Sequence, residues 1–468
     1  MMTRQRFPWA TRFGAALATS ASVTTAVVLA GAVAAAAGPG HPVGVHHLVK
    51  MDNPYAGAQV YVNPEWSALA AGEPGGHLVA DQPTAVRLDR IAAIDRAGDR
   101  MGLRDHLDEA LRQGADLIQL VLHDLPGRDC ERLASTGELA YDELPRYRAE
   151  FVDPITQILA DPAYARLRIV AIIEPNSLAN LVTHTSPRPD ATFGCDQVLA
   201  YGSYPLGIGY ALARLGPLPN VYPYLDVSHP GQLGRASDAA DLVSLLQLTA
   251  GQSGATPDLV HGFIANVGNY SVLRERYFRT RDVINGEPVR THSSWVAGRD
   301  VVDVLPYLAA MRHRLTAAGF PRAAGILVDT SRNGWGGPER PIAPGPRTSA
   351  EEYVEAGRLD RRARVTNWCN LADAGIGVRP VAAPAPGVDA YVWATAPGVS
   401  DGFGTWGNAF HPYEPRCDSD YAAGTYDTGA LPGAPPAGEW FPAYFQRLLA
   451  NAWPPLATAD VVRGPLPT

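Results

Sequence analysis

The stretch Leu117-Ile118-Gln119-Leu120-Val121-Leu122-His123-Asp124 decides the fold class. Its first six residues are nearly all apolar, which is typical of a parallel strand covered on both faces, and a carboxylate follows where the run ends. Further β-rich runs of this kind recur along the chain, at residues 85–88, 169–173, 221–225, 259–264, 325–328 and 390–393. About seven strands are therefore predicted.

Amphipathic segments lie between these runs and predict helices over residues 103–113, 147–159, 238–248 and 301–318. Strands that alternate with helices favour a parallel α/β barrel or sheet. Polar residues stand at or just past the ends of six runs: Asp89, Asp124, Glu174, Asp226, Asn266 and Asp329. Because the active sites of α/β barrels are built at the carboxyl ends of the strands, this placement predicts a barrel with its functional site at that end.

The amino terminus combines basic residues with an apolar run and then the small residues 34–37, which is the order found in a secretory signal peptide. We expect residues 1–37 to be this signal, 38–52 a short tether and 53–468 one catalytic domain. The mature protein is then secreted and has no membrane association. An uncleaved membrane anchor is the alternative, which the Ser and Thr residues within 19–25 disfavour.

Charge and cysteine usage narrow the range of partners. The formal net charge is −8 at pH 7, and no run of Lys or Arg follows the leader, so we expect no nucleic-acid partner. Four cysteines form an even set in a chain expected to leave the cytoplasm, which predicts two disulfides. Their wide spacing lacks the CxxC pairs of a zinc site, so no metal is expected. We also expect no cofactor. The protein is expected to be a monomer.

Two motifs carry a family resemblance. They are His123-Asp124-Leu125-Pro126-Gly127-Arg128-Asp129-Cys130, with Ser135-Thr136-Gly137-Glu138-Leu139 shortly after it, and Ile173-Glu174-Pro175-Asn176-Ser177-Leu178. With further motifs in order along essentially the whole mature chain, they resemble glycoside hydrolase family 6, the inverting cellulases. The resemblance implies a distorted barrel with a cleft or tunnel, hydrolysis of β-1,4-glucan, and disulfides that pair Cys130 with Cys195 and Cys369 with Cys417.

The resemblance also implies which residues are catalytic. Asn176 occupies the position of the Asp that protonates the departing oxygen in the family, and Asp129 matches the second carboxylate of that pair. Ser135 matches a residue that helps to position the attacking water, and Asp401 aligns with the carboxylate often proposed as the base. An amide has no dissociable proton, so Asn176 can hydrogen-bond the glycosidic oxygen but cannot act as a general acid.

The sugar-binding positions implied by the resemblance or by strand ends are Trp368, His229, Asn266, Arg87, His123, Asp226, Thr395 and Val399. Several depart from the family. Arg87 replaces a Trp, His123 replaces a Tyr, and Thr395 and Val399 replace a Lys and a Glu. Because aromatic faces stack on sugar rings, such losses weaken glucan binding, and Trp368 is the one expected platform that remains.

Two functions of different classes follow. The first is a secreted glucan hydrolase whose activity is reduced or redirected by the amide at Asn176. The second is a non-catalytic relative that recognises a different, acidic polysaccharide. Arg87 and Arg235 favour this second function, since guanidinium groups match carboxylates or sulfates, and Arg235 with Gln232 replaces two Trp platforms of the family. Deamidation of Asn176 after secretion would restore the acid.

A structural role, in place of a catalytic or sugar-binding one, remains open for several of these residues. Asp124 and Glu174 are as consistent with orienting loops as with touching substrate. Asp129 beside Arg128 is consistent with a structural ion pair, although its motif favours a functional role. His123 on an apolar strand is by default a buried histidine with satisfied hydrogen bonds.

Overall fold

The computed structural model describes residues 50–96, 98–133, 135–404, 413–421 and 427–456. The predicted signal peptide and the tether up to residue 49 lie outside the described residues. Among the helices that the structure describes, none is both long enough and apolar enough to cross a bilayer.

The strands of the described residues form one large sheet and one hairpin. They are β1 (Val86–Leu88), β2 (Leu117–Leu122), β3 (Arg168–Ile173), β4 (Val221–Asp226), β5 (Gly262–Ala265), β6 (Val283–Ile284), β7 (Glu287–Pro288), β8 (Gly325–Asp329), β9 (Val381–Ala385) and β10 (Val388–Val392). The large sheet has the order β1-β2-β3-β4-β5-β8-β10-β9, and β6 pairs with β7. Seven strands of the large sheet run parallel, and β9 is antiparallel to β10.

The parallel sheet curls into a distorted barrel, which confirms the predicted fold class and its seven runs. The backbone N–H of Ala85, just before β1, donates to the carbonyl of Trp393, just after β10, at 3.0 Å. Buried apolar side chains from all seven parallel strands or their ends, among them Val121, Ile172 and Val392, form a single core cluster. Since β2 is buried at every position, its apolar run is explained by packing on both faces.

The helices of the described residues lie mostly in the connections between strands. They are α1 (Pro64–Ala71), α2 (Leu103–Arg112), α3 (Leu144–Arg146), α4 (Asp153–Leu159), α5 (Ser177–Thr183), α6 (Phe193–Tyr201), α7 (Ser203–Leu215), α8 (Pro230–Leu233), α9 (Ala236–Thr249), α10 (Val289–His292), α11 (Val304–Ala317), α12 (Ala350–Gly357) and α13 (Pro442–Ala450). Of these, α1 precedes β1 and α13 follows β10. A π-helical turn (Tyr147–Val152) joins α3 to α4. Short 3₁₀ turns lie at Gly76–Leu78, Ile91–Ala93, Pro162–Tyr164, Pro257–Leu259 and Pro415–Cys417. The four predicted helices are confirmed.

Two disulfides connect the loops at the carboxyl end of the sheet. Cys130 is bonded to Cys195, and Cys369 is bonded to Cys417, so the pairing implied by the resemblance is confirmed. The first bridge ties the loop after β2 to α6, and the second ties together the segments on either side of Asp401. The two disulfides therefore hold these loops in place covalently.

Candidate functional site

Glu174 follows β3 and organises the neighbouring loop. Its carboxylate accepts the backbone N–H of Asp124 at 3.0 Å and of Leu125 at 3.4 Å, and it accepts the hydroxyl of Tyr147 at 3.0 Å. Burial raises the pKa of Glu174 to about 7, against the opposing effect of these donors. The contacts support the loop-orienting alternative for Glu174, because its lone pairs are directed at the protein.

Asp124 is fully buried, and within the part of the chain that the structure describes neither of its carboxylate oxygens has a hydrogen-bond partner. The nearest cation is Arg128, whose Nη1 lies 3.9 Å from Oδ1. Burial raises the pKa of Asp124 to about 9. It is therefore a neutral carboxylic acid at neutral pH.

Asp129 lies in the loop after β2 in a left-handed conformation with φ of 54°. The hydroxyl of Thr136 donates to its Oδ2, and three nitrogens lie within 3.8 Å of its oxygens: Nε of Arg132, Nε2 of His123 and Nε of Arg128. Burial opposes ionisation, but these neighbours together hold the pKa of Asp129 well below its usual range. The side chain of Asp129 is therefore an ionised carboxylate.

His123 links Asp129 to the first strand. Its Nδ1 lies 2.6 Å from Nη2 of Arg87. Because a guanidinium only donates, Nδ1 must accept, and the ring proton sits on Nε2, 3.7 Å from Asp129. Burial and the charge of Arg87 lower the pKa of His123 well below its ordinary value, so the ring is neutral. Arg87 as a residue is exposed to solvent, although many protein groups lie near its guanidinium.

The hydroxyl of Ser135 makes hydrogen bonds within the same loop. Its hydroxyl donates to the carbonyl of Arg128 at 2.7 Å and accepts the N–H of Gly137 at 3.2 Å. The guanidinium of Arg128 donates in turn to the carbonyls of His123 and Thr136, each at 2.7 Å. The loop is thus folded around Arg128.

Asn176 precedes α5 and has a left-handed backbone with φ of 65°. Its N–H donates to Oδ2 of Asp226 at 2.9 Å, so the end of β4 fixes the backbone of Asn176. Burial raises the pKa of Asp226 to about 7. Among the hydrogen bonds between described residues, none involves the side-chain amide of Asn176, which is half-buried. The amide is therefore available to a ligand.

Asp401 is held from three directions. Nη1 of Arg332 lies 2.7 Å from its Oδ1, and its Oδ2 accepts both the hydroxyl of Tyr270 and the N–H of Asn370 at 2.9 Å. Arg332 is itself buried, with its guanidinium carbon 4.6 Å from the ring centre of Tyr270. This carboxylate is therefore fixed in place by a buried ion pair.

Arg132 connects the parts of the site. Besides its contact with Asp129, its Nη1 donates to the carbonyl of Asp401 at 3.0 Å, and its guanidinium lies 4.6 Å from the ring centre of Trp368. Arg416 lies 5.1 Å from the same ring centre. Two cation–π contacts therefore hold the half-buried ring of Trp368, one of them from the guanidinium that also contacts Asp129 and the backbone of Asp401.

Glu131, which the sequence reasoning missed, lies two residues after Asp129. Nδ2 of Asn180 donates to its Oε2 at 2.5 Å, and Nε of Arg132 lies 3.9 Å from its Oε1. Burial, and then the charge of Asp129, raise the pKa of Glu131 to about 7. The Asp-x-Glu pattern in the loop after β2 was the available signal. Asn180, Arg132 and Arg332 carried no such signal.

The remaining predicted residues make contacts within and between the loops at the strand ends. Asn266 bonds the backbones of Asn269, Ser271 and Asp329. His229 is buried, with Nδ1 at 3.4 Å from the Ser271 hydroxyl. The N–H of Thr395 donates to Asp329 at 3.1 Å, and Val399 pairs with Trp440 in an isolated bridge. In the described part of the chain, no group of three or more His, Cys, Asp or Glu residues is arranged to hold a metal ion.

Comparison with known proteins gives a consistent result. Residues 54–452 match the model of the family described as Glycosyl hydrolases family 6. Exoglucanase A of Cellulomonas fimi is 41% identical over 452 residues, which cover 90% of this chain and 51% of that protein. The chain thus spans about half the length of this relative. The 1,4-beta-D-glucan cellobiohydrolase C of Emericella nidulans is 30% identical, over 86% of this chain and 79% of that protein.

Solved structures agree. The catalytic domain of Cellulomonas fimi Cel6B superposes with a TM-score of 0.82 at 40% identity, over 89% of this chain and all of that one. The cellobiohydrolase II of Humicola insolens, solved in complex with glucose and cellotetraose, has a TM-score of 0.65 at 29% identity, over 86% of this chain and 99% of that one.

Proposed function

The chain belongs to glycosyl hydrolase family 6, and on that premise we propose that it is a secreted hydrolase that cleaves β-1,4-glucan with inversion and has no proton donor at position 176. Its relatives are named as an exoglucanase and cellobiohydrolases. The two disulfides and the signal-like amino terminus support secretion.

One observation carries the proposal. Arg132 holds Asp129, the backbone of Asp401 and the ring of Trp368 together at the carboxyl end of the sheet. Inverting glycosidases use a pair of carboxyl groups that flank the scissile bond, and an aromatic face nearby can hold a sugar ring. The loop that carries Asn176 is fixed at the same end by Asp226.

The amide at Asn176 determines how this hydrolase works. Inversion requires a proton for the departing oxygen while water approaches the opposite face of the sugar. The amide N–H can hold the leaving oxygen but transfers no proton to it. Because general acid catalysis typically contributes about 10²–10⁴-fold, unactivated glucan should be cleaved more slowly than by a variant with a carboxyl at position 176, whereas a phenolate leaving group needs little protonation.

The test compares wild type with Asn176→Asp on p-nitrophenyl cellobioside and on soluble β-glucan. We expect wild type to cleave the aryl substrate much faster than β-glucan. Asn176→Asp should raise kcat on β-glucan by about tenfold or more and change kcat on the aryl substrate by less than about threefold. Asn285→Asp is the matched control, since Asn285 is also an Asn with positive φ but lies in the β6–β7 hairpin. If neither substrate is cleaved by wild type or Asn176→Asp, the proposed hydrolysis is wrong.

Recognition of an acidic glycan is a second candidate function, which the accessible guanidinium of Arg87 favours. Arg235 is exposed as well, and each guanidinium also contacts the protein through its Nη2, at 2.6 Å from Nδ1 of His123 for Arg87 and 2.8 Å from the carbonyl of Ala297 for Arg235. This function predicts salt-sensitive binding of a glucuronic-acid oligosaccharide without cleavage, abolished in Arg87→Gln. Equal binding of acidic and neutral oligosaccharides by calorimetry would contradict it.

A further inference from the structure

We propose that Glu131 donates the proton to the leaving oxygen in place of Asn176. The inference rests on the hydrolytic function proposed above, and it names the residue that compensates for the amide. The family motifs give no role to this position, so the assignment comes from the geometry around it.

Glu131 reaches the helix that begins after Asn176. The N–H of Asn180 donates to the carbonyl of Asn176 at 3.0 Å, so the two residues are one helical turn apart. The side-chain amide of Asn180 then donates to Oε2 of Glu131 at 2.5 Å. The carboxyl of Glu131 therefore contacts the side chain that stands one helical turn after the position of the family's acid.

The carboxyl of Glu131 is positioned to carry a transferable proton. Its Oε2 accepts from Asn180, and its Oε1 lies 3.9 Å from Arg132, which is beyond hydrogen-bonding distance. The side chain is 13% exposed, so a ligand can reach it. Oε1 can therefore hold a proton and present it to a substrate, while Oε2 stays fixed by the amide.

Burial and the charge of Asp129 favour the protonated form of Glu131. Burial is the largest effect on its pKa, and ionised Asp129 adds to it, so that the pKa rises to about 7. Arg132 and Arg416 oppose this shift, and Nη2 of Arg416 donates to the carbonyl of Glu131 at 3.0 Å. Tyr204 of α7 also faces Glu131, and its own pKa is raised, so it stays neutral. A protonated acid beside an ionised carboxylate is the arrangement that general acid catalysis requires.

The proton transfer conserves atoms and electrons. The proton on Oε1 of Glu131 passes to the glycosidic oxygen while the bond from that oxygen to the anomeric carbon breaks, and the bonding pair stays on the oxygen. A water oxygen bonds to the anomeric carbon from the opposite face and releases its proton to solvent. The carboxylate of Glu131 regains a proton from solvent, so each cleavage consumes one water.

The experiment is a double-mutant cycle with wild type, Glu131→Gln, Asn176→Asp and the double variant, measured on soluble β-glucan. In the wild-type background, Glu131→Gln should lower kcat by about tenfold or more, because it removes the acid. In the Asn176→Asp background the loss should be less than about threefold, because the carboxyl introduced at position 176 would supply the proton. Glu150→Gln, at an exposed position, is the matched control and should change neither rate.

Two further readouts separate a catalytic from a structural role. The wild-type rate on β-glucan should fall as pH rises above about 7, since the acid must be protonated, and Glu131→Gln should lose this limb. Asn180→Ala removes a donor that stabilises the carboxylate, so it should move the limb to higher pH; this variant also serves if Glu131→Gln does not fold.

Each result of these experiments either supports or contradicts the role of Glu131. An equal loss in both backgrounds, or an unmoved alkaline limb, would overturn the role of Glu131 while leaving the hydrolase intact. Wild type without activity on either β-glucan or p-nitrophenyl cellobioside would overturn both the hydrolytic function and this role. A background-dependent loss together with a vanished limb supports the assignment.

Discussion

The charge of each buried carboxyl in the loop after β2 depends on the hydrogen-bond donors and cations that face it. Asp129 faces the Thr136 hydroxyl and three cationic or imidazole groups, and it is ionised. Asp124, five residues earlier, is deeply buried without a hydrogen-bond partner among the described residues, and it is neutral. Two similar side chains in one loop therefore differ in charge, one neutral and one negative.

Asp124→Asn should change how stability depends on pH. Burial raises the pKa of Asp124 in the folded state to about 9, above the ordinary value of 3.8. Such a group contributes stability below the unfolded pKa, and that contribution is lost as pH rises through the folded pKa. The amide does not titrate, so the Tm of Asp124→Asn relative to wild type should rise progressively between about pH 4 and 9, as measured by calorimetry.

Asp142→Asn is the control for this prediction, because Asp142 lies in the same connection between β2 and β3 and is not buried. It should show no such trend. A Tm difference between Asp124→Asn and wild type that stays constant over the same pH range would mean that Asp124 is not a neutral acid in the folded protein.

Residue-level chemistry was predictable only in part. That Asn176 holds no proton follows from its atoms, whatever the fold. That Glu131 holds one follows from its burial and from the charge of Asp129, and its position is set by the contact with Asn180, 49 positions further along the chain. Sequence reasoning had no means of finding that contact.

At the scale of elements, the parallel strands were predictable because most of them are buried, apolar runs; β1 is the exception, with exposed Arg87 at its centre. The strands that were missed lack this signal. β9 is an exposed edge strand whose sequence is Val-Ala-Ala-Pro-Ala, and β6 and β7 have two residues each. An edge strand tolerates Pro and needs no apolar alternation, so its pattern is that of a loop.

The loop after β2 shows the same contrast. Its start at the strand end was predictable, but its conformation depends on contacts from elsewhere. The hydroxyl of Tyr204 in α7 donates to the carbonyl of Gly127 at 2.7 Å, and Cys130 is bonded to Cys195 in α6. The loop is therefore positioned by helices that follow the next strand.

At the scale of the whole molecule, the barrel joins residues that are remote in sequence. A line of contacts runs from Arg87 on β1 through His123, Asp129 and Arg132 to Asp401 beyond β10. Arg132 and Asp401 are 269 residues apart. The closure of the sheet brings them together, which is why the order of motifs predicted the fold but not the network within the site.

The most direct test of the proposed hydrolysis is a proton NMR time course of cellotetraose with the purified protein. Cleavage by a single displacement should release new reducing ends first in the α configuration, before mutarotation. The account predicts cleavage with α products. Unchanged cellotetraose, or new reducing ends that appear first as the β anomer, would contradict it.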